Sequence, residues 1–440
     1  MLSRLPLFPF NSAVNRTGHL FIGECDTIDL TAEFGTPLYV LDEADLRGRC
    51  REFRAEFGRC YQDINVVYAC KAFISPTLAG IMDEEGLGLD VVSSGELEIA
   101  RSASFPMERV YLHGNNKSAG ELDRALQWTV GHIVVDNLHE LKMLEEIASK
   151  QGSTADILLR ITPGIDPHTH SYIATGIVDS KFGIPLSQAE EAISMATSAS
   201  SLNLTGLHCH IGSLIFEPEP YLNAIDVMVN LAADMKSRHG FTLSELNVGG
   251  GFAIQYTMDT PAPPISRYAE TISSRINSAC QKRELSLPRL TIEPGRSVIG
   301  RCGVALYEAG AIKDIPGIRR YVSVDGGMGD NIRPALYGAR YEAVIANKMM
   351  REGSQEVTIA GRYCESGDIL IPDIHLPSVT SGDIIAIPGC GAYCLPMSSN
   401  YNASLKPAVV MVNNGKARLI RRRETVEDLF RCDTDRQFGS

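Results

Sequence analysis

Eight short apolar segments in the first three hundred residues each run into a residue of a kind that does chemistry, and this recurrence leaves few folds open to the chain. They are Val66–Cys70 before Lys71, Leu87–Leu89 before Asp90, Val110–Leu112 before His113, and Ile133–Val135 before Asp136. The series continues with Ile157–Leu159 before Arg160, Leu204–Cys209 before His210, Leu246–Val248 before Gly249–Gly250–Gly251, and Leu290–Ile292 before Glu293. Short β-rich runs alternating with longer helix-compatible stretches predict βα units and a parallel sheet. Eight units predict a closed (β/α)8 barrel, whose active site lies at the carboxyl ends of its strands. The polar residues that follow the segments are thereby brought to one mouth.

Such a barrel takes roughly 250 residues, and the chain has 440, so a second domain is expected. The expected fold class is α/β: a TIM-like barrel over 37–305, with helices at Glu43–Phe57, Ala119–Trp128, Leu138–Lys150 and Tyr221–Lys236. From 306 to 440 the pattern changes to strand-like runs at Tyr321–Val324, Ala343–Ala346, Glu356–Ile359, Ile384–Ile387 and Ala408–Val412, separated by Gly, Asp and Pro turns. That stretch reads as a mostly β domain. Residues 1–36, with segments such as His19–Ile22, read as strands that join its sheet.

Hydrophobic content of 44% with 21% charged residues supports a full globular core and excludes a disordered chain. A net charge of −12 argues against nucleic acid or an anionic membrane as partner, since Arg421–Arg422–Arg423 runs straight into Glu424, Glu427 and Asp428. Met1–Phe10 is short and broken by Pro6 and Pro9, unlike an export signal, and no run reaches membrane-spanning length. A cytoplasmic protein is the expectation. The odd count of eleven cysteines fits reduced thiols. His208, Cys209 and His210 are adjacent and Cys390 and Cys394 lie four apart, yet no second pair has ligand spacing, so no metal is expected.

Lys71 follows a mostly apolar run, where desolvation lowers an amine's pKa and favours Schiff-base chemistry. A lone lysine there more often snorkels to solvent. Gly249–Gly251 leaves three successive backbone N–H groups unobstructed, which suits a phosphate oxygen, although glycine triplets also make ordinary turns. Glu293–Pro294–Gly295–Arg296 sets a carboxylate that can face a protonated heterocyclic nitrogen beside a guanidinium that can bind an anion. The alternative is an ion pair that ties a loop. Lysine, phosphate nest and carboxylate together match the requirements of pyridoxal phosphate.

Along nearly its whole length the chain resembles the fold-type III, alanine-racemase-like pyridoxal phosphate enzymes, in their diaminopimelate decarboxylase branch. The resemblance is carried by Tyr68–Ala72, His168–Thr169–His170 with Ser180–Gly183, Gly206–Ser213, Asn247–Phe252 and Glu293–Ser297. Asp325–Met328, Arg333–Tyr337, Cys364–Asp368 and Gly391–Tyr393 extend it, and His113–Lys117 also fits. Several of these are shared with ornithine and arginine decarboxylases; Ser180–Gly183 and Arg333–Tyr337 look most like the diaminopimelate branch.

The resemblance implies that Lys71 holds pyridoxal 5'-phosphate covalently, that His210 stacks on its ring, and that Glu293 keeps the pyridine nitrogen protonated. Ser213, Gly249, Gly250, Gly251 and Arg296 would serve the phosphate end, and Tyr393 would complete the cofactor and substrate pocket. Cys364 would be the proton donor, Glu365 would read the distal amino group, and Arg296, Arg333 and Tyr337 would bind the distal carboxylate. Asp90, His113 and Arg160 are candidates by strand position, Asp90 counted with the cofactor site. The implied reaction is decarboxylation of meso-diaminopimelate to L-lysine, the last step of lysine biosynthesis, in a homodimer with shared sites. A relative acting on another amino acid, or a silent regulatory paralogue, are the other readings; retention of Lys71 and Cys364 weighs against the latter.

Overall fold

The computed structural model describes residues 1–165 and 180–434, which form two compact units. One comprises Arg49–Ile254 and Ala262–Ser297, the other Met1–Gly48, Gln255–Pro261 and the chain from Val298 onward.

The first unit is the barrel. Its strands are β1 (Ile64–Ala69), β2 (Gly88–Val91), β3 (Val110–Leu112), β4 (His132–Val135), β5 (Ala155–Thr162), β6 (Leu202–His208), β7 (Glu245–Asn247) and β8 (Arg289–Ile292). Each pairs in parallel with the next, and β8 returns to β1 through Leu290 opposite Ile64 and Ile292 opposite Val66, so the sheet closes. All eight fall on the segments read from the sequence.

The loops that leave the strands use local capping chemistry. Ser75, Ser93, Ser118 and Asn137 each accept a backbone N–H at the start of the following helix, and Ser118 with Glu121 forms a reciprocal capping box. Gly152 and Gly240 end their helices in the left-handed conformation.

Toward the amino-terminal ends of the strands the barrel is filled by a polar network rather than hydrocarbon alone. Buried Glu245 accepts from Tyr111 Oη at 3.0 Å and Thr291 Oγ1 at 2.6 Å, and Asn65 donates to Tyr111 at 3.0 Å. The His132 ring stacks on Tyr111 with centroids 4.5 Å apart. Above it Val67, Tyr111, Val134 and Leu158 pack together.

The second unit is mostly β. Its main sheet runs in the order Ile369–Leu376, Gln355–Ala360, Arg319–Val324, Gly303–Ile315, Leu38–Asp42, Ala408–Asn413, Lys416–Arg421. Ile384–Pro388 also pairs with Gly303–Ile315 and carries the short strand Val344–Ile345. Leu20, Ile22, Leu38, Val304, Leu306 and Val410 belong to its core.

Two details differ from the sequence reading. Leu38–Asp42 lies beyond residue 36 yet belongs to this sheet, because all five residues are buried between a parallel and an antiparallel neighbour. Within 1–36 the segment Thr27–Phe34 is helical, capped by Asp26, rather than a strand.

Gly206 lies in β6 where the register against β5 shifts, and a Cβ built there would sit 2.0 Å from the Glu245 carbonyl oxygen. Gly206→Ala is expected to cost about 1–3 kcal/mol through overpacking against a fixed strand. Gly120, in the helix Ala119–Gln127, has nothing within 4 Å of such a Cβ. Gly120→Ala should be neutral or stabilise by up to about 1 kcal/mol. Denaturant unfolding of the two variants checks the contrast.

Candidate active site

The strand β1 stops at Ala69, and a tight turn over Cys70–Ala72 carries Lys71 out of the barrel. The turn is fixed by the Ala69 N–H bonded to the Pro294 carbonyl at 3.1 Å and by Tyr68 Oη on the Phe73 carbonyl at 2.7 Å. Lys71 therefore opens into a cleft of about 630 Å³ at the carboxyl ends of the strands, lined also by His113, Arg160, Lys181 and His210. Its Nζ lies 3.7 Å from Asp90 Oδ2, at the end of β2.

Glu293 follows β8 and is buried beneath the cleft. Asn247 Nδ2 donates to its Oε1 at 2.7 Å, His113 Nε2 lies 2.9 Å from the same oxygen, and His208 Nε2 lies 3.2 Å from Oε2. Burial pushes the carboxyl pKa up, but the adjacent imidazoles pull harder and hold it well below the ordinary glutamate value. Glu293 is thus a buried anion prepared for a positive partner. His208 is driven by its own burial down to about 4, so at neutral pH it is an uncharged donor. Asp90 is nearly inaccessible, neither of its oxygens finds a hydrogen bond among the described residues, and burial raises its pKa against the nearby His113 and Lys71.

His210 lies just past β6. The Gly250 N–H donates to its Nδ1 at 3.3 Å, which leaves the proton of the neutral ring on Nε2. Burial, with Lys71 and Arg160 close by, pushes this imidazole well below its ordinary pKa.

The glycine triplet is committed to close backbone approach. A Cβ at Gly249, Gly250 or Gly251 would sit 2.6, 2.1 or 2.6 Å from the carbonyl oxygens of Cys209, Glu293 and Gly212. The three N–H groups are not all available, however. Gly249 N–H bonds Asn247 Oδ1 at 2.9 Å and Gly250 N–H is spent on His210, so of the three only that of Gly251 has no such bond among the described residues. Arg296 donates to Ser213 Oγ at 3.2 Å, joining the two anion-end candidates.

The remaining candidates lie in the β unit. Cys364 and Glu365 are exposed on a turn pinned by Asp368, whose carboxylate accepts the N–H of Tyr363 at 2.9 Å and of Met328 at 2.6 Å. Cys364 N–H bonds Asn402 Oδ1 at 3.1 Å, and Tyr401 Oη bonds the Glu365 carboxylate. Arg333 is buried, with its guanidinium on the hydroxyls of Tyr256 and Tyr341, whereas Tyr337 at the end of the same short helix is 63% exposed. Tyr393 is half-buried in a left-handed turn. His168–His170 lie outside the described residues.

Sequence reasoning missed the bracing of Glu293. In the sequence Asn247 and His208 stand out only within motifs, His208 also among the residues weighed for zinc and set aside, and neither reading points to the carboxylate. His113, His208 and Glu293 bring ligand-type atoms within 4.8 Å of one another. Here His208 hydrogen-bonds the carboxylate and His113 stands within ion-pair distance of it.

A covalently competent amine, a glycine cradle too tight for any side chain, a buried carboxylate held anionic and an unsatisfied Asp90 fit a phosphorylated, cationic-ring cofactor. Residues 43–300 match the pyridoxal binding domain of the pyridoxal-dependent decarboxylases, which defines the class and its cofactor, pyridoxal phosphate. The diaminopimelate decarboxylase of Bacillus subtilis is 46% identical, over 97% of this chain and 98% of its own. The crystal structure of diaminopimelate decarboxylase from M. jannaschii superposes with a TM-score of 0.92 at 32% identity, covering 98% of this chain and 99% of that one. That from Helicobacter pylori, complexed with L-lysine, gives 0.83 at 31% identity, covering 93% and 99%. The chain belongs to the diaminopimelate decarboxylase family.

Because His208 is held neutral, the unfolded chain binds its proton between pH 6.5 and about 4 while the folded chain does not. That contribution to stability is full above the unfolded value and falls as the pH drops through the window. The stability difference between wild type and His208→Asn should therefore shrink between pH 6.5 and 4, read from urea unfolding at each pH. A constant difference would remove His208 as the titrating group.

Proposed function

We propose that the protein decarboxylates meso-2,6-diaminopimelate to L-lysine and CO2, the last step of lysine biosynthesis, as a cytoplasmic homodimer with shared active sites. Lys71 binds the cofactor, Glu293 faces its ring nitrogen, His210 lies on its ring face, and Ser213, Gly249–Gly251 and Arg296 take its phosphate end. When bound, pyridoxal phosphate supplies the sink for the electron pair left when CO2 departs. Glu293, already anionic and desolvated, stabilises positive charge at the ring nitrogen without reorganising. Asp90, 3.7 Å from Lys71 Nζ, positions the amine and stabilises its protonated form. Cys364 delivers a proton to the α-carbon, Glu365 reads the distal amine, and Tyr393 closes the pocket. For the cellular compartment, the support is that no helix among the described residues is long and apolar enough to cross a membrane.

The observation that carries the substrate is Arg333. The residue is 3% exposed, and among the described residues no carboxylate lies within ion-pair distance of its guanidinium. A buried cation without a counter-ion is costly, and a substrate with a second carboxylate supplies one. Arg296 and Tyr337 complete the distal-carboxylate set, Tyr337 from an exposed position where substrate or a second chain can cover it. Monocarboxylate amines such as L-lysine and L-ornithine leave this set unused.

Loss of a hydrogen bond to a charged group costs about 1.5–3 kcal/mol. Arg333→Ala should accordingly lower kcat/KM for diaminopimelate by roughly tenfold to a hundredfold, with cofactor absorbance unchanged. CO2 release from diaminopimelate, lysine, ornithine and arginine by both proteins is the decisive assay. Equal turnover of diaminopimelate by both proteins would remove Arg333 from the site, and preference for a monocarboxylate amine would overturn the substrate.

Sharing of the site is tested separately. Lys71→Ala and Cys364→Ala proteins should each be nearly inactive. Subunit exchange in equal amounts should put about half the dimers in hybrid form and restore about a quarter of wild-type activity if sites act independently. Exchange proved by mass-tagged subunits without recovery would confine both residues to one chain's site or exclude Cys364 as donor.

A further inference from the structure

The backbone of the glycine turn can be accounted for group by group. Gly249 N–H bonds Asn247 Oδ1 at 2.9 Å, and its carbonyl accepts the Glu293 N–H at 2.8 Å. Gly250 N–H bonds His210 Nδ1 at 3.3 Å, and its carbonyl accepts the hydroxyl of Tyr221 at 2.8 Å. The Gly251 carbonyl accepts the Ile215 N–H at 2.9 Å. Among the described residues, every polar backbone group of the triplet is thereby bonded except the Gly251 N–H.

Tyr221 stands in the first turn of the helix Glu219–His239, which follows β6, and is almost wholly buried. Its ring lies nearly parallel to that of Phe252, with centroids 5.6 Å apart, and edge-on to Tyr268 at 6.2 Å. Packing of this kind fixes where the hydroxyl ends, and a buried phenol needs a hydrogen-bond partner there. The partner is the Gly250 carbonyl. Burial pushes the phenol well above the ordinary tyrosine pKa, so at neutral pH it stays a donor.

The peptide unit joining Gly250 to Gly251 is trans and planar, so its C=O and N–H point in opposite directions. A bond that holds the Gly250 oxygen therefore also sets the direction of the Gly251 N–H. Side-chain sterics cannot do this, since a Cβ at Gly251 would sit 2.6 Å from the Gly212 carbonyl oxygen and 3.1 Å from Tyr221 Oη itself. The φ of +108° at Gly251 is likewise a conformation that only glycine adopts readily. We propose that Tyr221 is a positioning residue for the cofactor: by holding the Gly250–Gly251 peptide plane, it aims the remaining N–H of the turn at the phosphate of pyridoxal phosphate. The inference rests on the placement of that phosphate at the glycine turn proposed above. A donor oriented in advance strengthens binding of an anion without an ordering cost at the moment of binding. Pyridoxal, which lacks the phosphate, gains nothing from it.

Full-length protein freed of cofactor with hydroxylamine is titrated with pyridoxal phosphate and with pyridoxal, and the absorbance of the bound ring is followed. Tyr221→Phe keeps the ring and removes only the hydroxyl. Its Kd for pyridoxal phosphate should rise by about tenfold, the worth of one hydrogen bond, while its Kd for pyridoxal stays at the wild-type value. Tyr61→Phe is the comparison, because it deletes another buried tyrosine's bond, from Tyr61 Oη to the Pro288 carbonyl at 2.6 Å, just before β8 begins. It should leave the preference for the phosphorylated ligand unaltered. Equal weakening of both ligands by Tyr221→Phe would reduce the residue to a packing role and overturn the proposal. An unaltered preference in Tyr221→Phe beside a reduced one in Ser213→Ala would overturn Tyr221 alone, whereas an unaltered preference in both would overturn the phosphate placement itself. A measurement on wild type stands whether or not the variants fold. In protein carrying isotope-labelled glycine, inorganic phosphate should move the amide resonance of Gly251 and leave those of Gly249 and Gly250 in place. A Gly251 resonance that phosphate does not move would overturn the proposal.

Discussion

The buried carboxylate of Glu293 sets terms that much of the barrel must meet. A charge taken out of water is tolerable only when each lone pair is directed at a donor. The neighbours here come from the ends of three other strands: His208 in β6 and Asn247 in β7 hydrogen-bond the carboxylate, and His113 after β3 lies within ion-pair distance of it. Each of those strands must therefore stop at the right height, so barrel closure and site assembly become one condition. Asn247 serves twice, since its side-chain oxygen also fixes the Gly249 N–H and with it the entry to the glycine turn.

The molecule treats its two most consequential buried charges in opposite ways. Glu293 is surrounded by its own donors before anything binds, which preserves its charge and direction. Arg333 is enclosed by tyrosine hydroxyls and ring faces, with Tyr256 and Tyr341 centroids 4.8 and 5.4 Å from the guanidinium carbon. Aromatic faces stabilise a cation without neutralising it. On the function proposed above, the first arrangement suits a cofactor that stays and the second a substrate that turns over.

The eight barrel strands were legible because each is short, apolar and followed by a polar residue, and because serine or asparagine caps announce the helices. The β unit was only partly legible, and two of its missed strands share a cause. Ile369–Leu376 is interrupted by Pro372, and Lys416–Arg421 carries three basic residues with no apolar face; both are edge strands, where proline and charge are tolerated. Lys71, Glu293 and the glycines were visible from strand position. The commitment of two glycine N–H groups to Asn247 and His210 was not, since it depends on contacts between residues 2 and 40 positions apart.

Those same edges govern how copies of this chain can meet. Lys416, Arg418 and Arg421 line one exposed border of the sheet, and pairing two such borders would stack like charges along a new ladder. At the opposite border Pro372 lacks the N–H that a added strand would need. Growth of the sheet into a continuous intermolecular ribbon through backbone pairing is thus disfavoured at both of its borders.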